Sequence, residues 1–317
     1  LSNAPPQIFH GREYELQGLV NTLLAEPARV ALLGPGGMGK TALAVVGIHN
    51  QKVADRYPTR HFIPCDSVHT KDSLVATIAS HLGLETSQAT AKHVVHYLAT
   101  SSPCLLILDN FETPWEPVDG RTKIEEFLLL VTGVTHIGLL ITMRGAERPG
   151  KVQWTHPFLP PLRPLTPIAA HQTFIEVADD IHDHLEAEQL LKITDNIPLA
   201  VQLIATIAAS EGCQATLERW KLESTAMLSA GYDKQSNLET SIMLSLSSPR
   251  MLSLPHVADL LSLMSLLSDG ISDTDLAQSK LSVPEILKCK TTLIRTSLAY
   301  VDNAGHLKVL APIREYI

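Results

Sequence analysis

With 317 residues the chain exceeds one ordinary domain, and its 45% apolar content can fill several cores, with only 5% aromatic residues, so that Leu, Ile, Val and Ala must do most of the packing. Basic side chains number 25 against 33 acidic ones, and the net charge of −8 argues against a broad nucleic-acid-binding face. Cys65, Cys104, Cys213 and Cys289 form no CxxC pair, which argues against zinc and a disulfide framework and for a reducing, cytoplasmic setting; no apolar run reaches the ~18–20 residues of a membrane span.

Residues 1–4 read as the remnant of a cleaved tag. Ala28–Leu33 predicts a short buried strand, a glycine-rich loop follows, and Thr41–His49 predicts a helix. His61–Cys65 is a second strand and Ser73–Leu82 a helix, with Leu74, Ile78 and Leu82 on one face. Cys104–Leu108 is a continuous apolar run ahead of an acid, as a central parallel strand requires. A helix over Ile124–Val131 and a strand over Ile137–Thr142 complete an α/β pattern with a parallel sheet. Five prolines between Pro157 and Pro167 stop both helix and sheet and mark a boundary. Residues from Ile168 to Leu228 are helical in pattern, and Ser229–Ser236 breaks the period. Helices near 237–247, 256–267, 273–279 and 283–296 precede a β-hairpin over Ala299–Leu310 that turns at Asn303-Ala304-Gly305. The division expected is a P-loop α/β domain over 5–158, an α-helical domain over 159–232 and a winged-helix domain over 233–317. The apolar, helix-compatible stretch ending at Ile317 predicts a longer natural chain.

Gly34-Pro35-Gly36-Gly37-Met38-Gly39-Lys40-Thr41 fits the Walker A pattern GxxxxGK[ST] between a strand and a helix. Gly34, Gly36, Gly37 and Gly39 let backbone N–H groups, including that of Met38, turn onto the phosphates of ATP or ADP without a Cβ in the way. Lys40 reaches the β- and γ-phosphates, Thr41 offers its hydroxyl to Mg²⁺, and Ala42 continues the helix whose N-terminus favours an anion. Asp109, closing the run Leu105–Asp109, is the candidate Walker B acid that holds Mg²⁺ together with Thr41. Asn110 cannot act as a base, so Glu112 is the nearest carboxylate able to orient water. His93/His96 and His182/His184 lack a third ligand at metal spacing.

Five blocks, in order, resemble the NB-ARC or NACHT-like branch of the STAND NTPases, the signalling switches of plant resistance proteins, apoptosome proteins and fungal NOD-like receptors of innate immunity. Ile8-Phe9-His10-Gly11-Arg12-Glu13 resembles the hhGRE block. Leu105–Glu112 resembles the family's Walker B. Leu139–Arg144 resembles the strand ending in a sensor arginine, Asn196-Ile197-Pro198-Leu199-Ala200 the GLPLA block, and Leu310–Tyr316 the block containing the MHD motif. The resemblance implies that His10, Gly11 and Arg12 contact adenine or ribose, that Arg144 senses the γ-phosphate, and that Pro198 presses on the nucleotide. Two departures stand out: Asn110 replaces a second acid, and Ala311 replaces the histidine that touches the β-phosphate of ADP.

The implied function is an ADP/ATP switch with slow hydrolysis, closed with ADP, and open and self-oligomerising with ATP. The family places effector domains upstream and repeats downstream of such a module, and the texture of the blocks is most similar to fungal members. Alternatives are an AAA+ or origin-loading ATPase whose winged helix binds DNA, and a nucleotide-binding scaffold without turnover.

Overall fold

In the computed structural model the structure describes residues 4–86, 90–179, 184–223, 226, 228, 238–267, 269–279, 281, 283–302 and 304–317. The break expected at 229–236, the 232/233 boundary, Asn303 and His182 lie outside the described residues. The chain divides into two compact units, one of Leu1–Gln7, Arg12–Leu33 and Lys40–Pro161, the other of Ile8–Gly11, Gly34–Gly39 and Leu162–Ile317.

In the first unit four strands, β1 (Arg29–Leu33), β2 (Thr59–Pro64), β3 (Cys104–Asp109) and β4 (Gly138–Met143), form one parallel sheet in the order β1-β4-β3-β2. β1, β3 and β4 are buried at every residue, which is why their sequences are apolar apart from Arg29, Asp109 and Thr142; the edge strand β2 is fully buried only at Ile63. Helix α1 (Glu13–Leu24) precedes β1, and α2 (Lys40–His49), α3 (Gln51–Arg56), α4 (Lys71–His81), α5 (Ala91–Thr100), α6 (Glu112–Trp115) and α7 (Val118–Thr132) connect the strands. A core including Leu106, Leu108, Phe111, Phe127 and Ile141 fills the unit on the α4, α5 and α7 side. Arg29, inside β1, has no carboxylate partner among the described residues. Its guanidinium donates to the carbonyls of Ala28 (2.9 Å), Thr132 (2.7 Å), Val134 (3.2 Å) and Ile137, and so ties the end of α7 to the start of β4.

In the second unit α8 (Pro167–Ala178), α9 (His184–Thr194), α10 (Pro198–Glu211) and α11 (Cys213–Glu223) pack together. Buried alanines at 169, 170 and 178 on α8 and at 200, 205 and 208 on α10 let these two helices approach closely. Thr166 caps α8 by accepting the Ala169 N–H, which starts the helix at the last of the clustered prolines. Then come α12 (Leu238–Leu246), α13 (Pro249–Leu252), α14 (Val257–Ser265), α15 (Asp273–Gln278) and α16 (Ile286–Arg295). The antiparallel pair β5 (Tyr300–Val301) and β6 (Leu307–Lys308), bridged from Leu307 to Ile271, leads to α17 (Ala311–Tyr316). Val257, Leu260, Leu261 and Met264 form the buried stripe of α14, which packs against α16 and α17. Among the described residues no helix is long and apolar enough to cross a membrane.

Candidate functional site

The sheet register builds the first half of the site. Leu108 pairs with Ile141, which sets Asp109 beside Thr142 where the two strands end. In open α/β sheets the carboxyl ends of the strands are where ligands bind. Asp109 is fully buried; Thr41 at the start of α2 donates its hydroxyl to Asp109 Oδ1 (2.9 Å) and Oδ2 (3.2 Å), and Thr142 donates to Oδ1 at 2.6 Å. Burial pushes the Asp109 carboxyl above its ordinary value, the Thr142 and Thr41 hydroxyls oppose that shift, and Glu112 and Asp66 add to it.

Glu112 is not an ordinary loop residue. It opens α6, and its carboxylate accepts Arg144 Nε at 3.1 Å on Oε1 and the Arg144 backbone N–H at 3.2 Å on Oε2. The ion pair is largely buried, with side-chain exposures of 11% and 14%. Lys40 is buried beside this group: desolvation lowers its ammonium to about 8, Glu112 and Asp109 pull it up, and Arg144 pushes it down. Lys40, Thr41, Asp109, Glu112 and Arg144, five of the residues singled out from sequence, are thus brought together.

Asn110 takes a left-handed conformation, φ +55°, which asparagine tolerates better than most residues. Its backbone N–H donates to Thr142 Oγ1 at 3.0 Å and its amide to Asp66 Oδ1 at 2.6 Å. A hydrogen-bonded series therefore runs from Asp66 through Asn110 and Thr142 to Asp109 and Thr41. Thr142, Asp66 and the pinning of Asn110 went unrecognised in the sequence; the signal for Thr142 was its place at the end of an apolar strand adjacent to the Asp109 strand.

The second unit holds the other blocks. Gly34 (φ +141°), Gly37 (φ +76°) and Gly39 (φ +81°) adopt backbone conformations closed to most residues, while Gly36 is half-exposed and the Met38 side chain fully buried, so Met38 can contribute to an anion only through its main chain. A Cβ on Gly37 would meet Ile197 Cγ2 at 3.1 Å, Leu238 Cδ1 at 3.2 Å and Leu199 Cβ at 3.3 Å, and the Gly37 carbonyl accepts the Leu199 N–H at 3.2 Å. Pro198 stands at the first turn of α10 with Ile197 as cap residue. Pro35 and Gly36 line a small, partly open recess with Ile197, Leu310 and Pro312, so the glycine loop, the proline block and the final block converge. Gly11 (φ +67°) abuts α8, where an added Cβ would lie 2.3 Å from Ala169 Cβ, and His10 Nε2 pairs with Glu176 of the same helix. Arg12 belongs to the first unit, is buried and pairs with Glu15 of α1 at 2.9 Å, so it is no solvated charge; Ala42, in the first turn of α2, is half-buried.

Ala311 is buried at the start of α17, and its backbone N–H donates to Asp195, a residue at φ +47° just ahead of the proline block. Burial raises the Asp195 carboxyl, while the Ala311 N–H, Arg314 and Lys308 oppose that rise.

A Gly-rich loop leading from a buried strand into a helix, and a lysine, a threonine and a strand-end aspartate brought together at the carboxyl end of the sheet, are the marks of a P-loop NTPase fold. Residues 2–159 match the family model described as Novel STAND NTPase 1, which supports the STAND class for this segment. Among solved structures the chain is similar to a Walker-type ATPase of Pyrococcus abyssi (16% identity, 98% of this chain and 97% of that one, TM-score 0.68). It also resembles the Aeropyrum pernix ORC2 protein in ADPNP–ADP complexes (15% identity, 98% and 92%, TM-score 0.55) and a RuvB variant of Thermotoga maritima (12%, 96% and 94%, TM-score 0.50). At these identities the likeness is one of fold. No curated protein matches the chain.

Proposed function

We propose that the chain is an adenine-nucleotide switch of the STAND type, organised as a P-loop domain over 5–158, a helical domain over 159–232 and a winged-helix domain over 233–317. The observation that carries this reading is the recess on which Pro35, Gly36, Ile197, Leu310 and Pro312 converge. It brings the phosphate loop, the proline block and the final block together, so a nucleotide on the loop would favour whichever arrangement of those blocks it contacts better. In the ADP form the final block lies over the loop. With ATP the block moves away and the module self-associates.

The loop amides, Lys40 and the start of α2 hold the phosphates. Thr41 and Asp109 supply hard oxygen donors 2.9 Å apart, a set suited to Mg²⁺ carried in on phosphate oxygens. Mg²⁺ would neutralise phosphate charge there. Arg144 exchanges Glu112 for the γ-phosphate, and the released Glu112 carboxylate orients water for slow hydrolysis. His10, Gly11, Arg12 and Pro198 frame adenine and ribose. The fungal NOD-like assignment, with its immune role, effector and repeat partners and cytoplasmic setting, rests on the sequence blocks.

A DNA-binding winged helix is the second reading, and the charges of the hairpin weigh against it. Lys308 pairs with Asp302 at 3.2 Å and Arg314 donates to the Val309 carbonyl at 3.0 Å, so both nearby bases are engaged internally.

The test is competition binding with Mg²⁺ present. ADP and ATP should bind and outcompete GDP and GTP, and Lys40→Met should weaken both by roughly 10- to 100-fold, the loss of a charge-assisted contact of about 1.5–3 kcal/mol. Guanine nucleotides binding as tightly as adenine nucleotides, or unchanged ADP affinity in Lys40→Met, would overturn the reading.

A further inference from the structure

We infer that Thr142 is a positioning residue for the metal-holding carboxylate, the donor, anchored in the sheet, that aims Asp109 at Thr41 and at the Mg²⁺ bound there. The inference rests on the Mg²⁺–nucleotide reading above and deepens it.

The argument starts from proton direction. Thr142 is fully buried, and a threonine hydroxyl has one proton to give. Its oxygen already accepts the Asn110 N–H at 3.0 Å, so the proton points elsewhere, and Asp109 Oδ1 lies 2.6 Å away. The short contact is what a hydroxyl makes to an ionised carboxylate. Asp109 Oδ1 thus takes two donors, Thr142 and Thr41. The two donors differ in what holds them. Thr41 belongs to the α2 turn that carries the phosphates and lends its oxygen to the ion. Thr142 is fixed by the paired strands, Leu32 opposite it on β1, and its own carbonyl accepts the Phe111 N–H at 2.9 Å.

Asn110 completes the brace. Its amide donates to Asp66 Oδ1 at 2.6 Å, so the turn after β3 is tied to the end of β2 on one side and to Thr142 on the other. The carboxylate is therefore aimed before any ion arrives, and the aiming is done by side chains that never touch it. Partners of this kind typically contribute 10- to 100-fold to metal affinity.

The experiment compares the full chain with Thr142→Val, Thr142→Ala and Thr142→Ser, and folding is checked by thermal unfolding. Binding of a fluorescent ADP analogue is titrated with Mg²⁺ and repeated in EDTA. The hydroxyl-free variants should need at least about tenfold more Mg²⁺ for half-maximal enhancement of binding, with EDTA affinity within about twofold of the parent. Thr142→Ser should return to the parental midpoint, which a purely steric role would not require. Thr142→Ala keeps the test open should the second methyl of valine disturb folding. An unaltered Mg²⁺ midpoint in a folded hydroxyl-free variant, or a serine variant as impaired as alanine, overturns the inference alone. A parent that binds no nucleotide, or binds it without regard to Mg²⁺, overturns the proposed function and this inference together.

Discussion

Replacing Arg144 with Met removes the guanidinium and keeps most of the stem. In the structure that guanidinium serves Glu112, with Nε 3.1 Å from Oε1 in a pair whose side chains are only 14% and 11% exposed. Breaking a buried pair by deleting one partner typically costs about 3–5 kcal/mol, so the nucleotide-free variant should unfold at visibly lower denaturant. The functional effect is of another kind. ATP loses a charge-assisted contact of roughly 1.5–3 kcal/mol that ADP never makes, so the ratio of ATP to ADP affinity should fall about 10- to 100-fold. Glu112→Gln separates the two roles. It weakens the competitor for Arg144, so ATP affinity should hold or rise while turnover falls. Calorimetry with ADP and with a non-hydrolysable ATP analogue, at fixed Mg²⁺, reads all three proteins. If Arg144→Met weakens ADP and ATP equally, or Glu112→Gln weakens ATP as much as Arg144→Met does, then the exchange of Glu112 for the γ-phosphate is wrong.

Gly37→Ala and Gly39→Ala both force a side chain into φ near +80°, at about 1–2 kcal/mol each, but only Gly37 has neighbours within 4 Å of the new methyl. Chemical unfolding should find Gly37→Ala worse by about a further 1–3 kcal/mol, and equal losses would mean that the loop is not packed on Ile197, Leu199 and Leu238. The chain should show no salt-dependent binding to duplex DNA at 50–200 mM salt; a steep salt slope would restore the origin-loading reading.

The parallel sheet was legible because its buried strands are largely apolar runs and the glycine loop follows the first of them. α1, α3, α5 and α6 were not read. In α5 the fully buried Val94 and Leu98 stand four residues apart, a helical spacing that was legible but passed over, whereas α6 is a single turn held by its neighbours. The site was legible where a motif carried it, at Lys40, Thr41 and Asp109. It was not legible where contacts join positions far apart in the chain. The pairing of Glu112 with Arg144 spans 32 residues, and the brace from Asn110 to Asp66 spans 44. Residue types at such separations say nothing until the register of the strands is known.

The departures from the NB-ARC-like pattern that the sequence blocks resemble become intelligible on the same footing. Asn110 sits where a second acid is often found, and its geometry suits an amide. It must donate to Asp66, and its backbone must enter the left-handed region, which asparagine does at lower cost than glutamate. A carboxylate at 110 would face the Asp66 carboxylate with no proton between them. Ala311 is a parallel case. Its methyl cannot reach a phosphate, yet its main chain is gripped: the N–H at the start of α17 meets Asp195, which lies three residues ahead of Pro198 in the block that packs on Gly37. The final block is therefore tied to the residue ahead of the proline block through a backbone N–H that any residue but proline would supply at 311. A chain built in this way does not need a histidine at that position to hold its final block near the proline block. The proposed closed state would then depend on Asp195 for this contact and on the nucleotide for the rest.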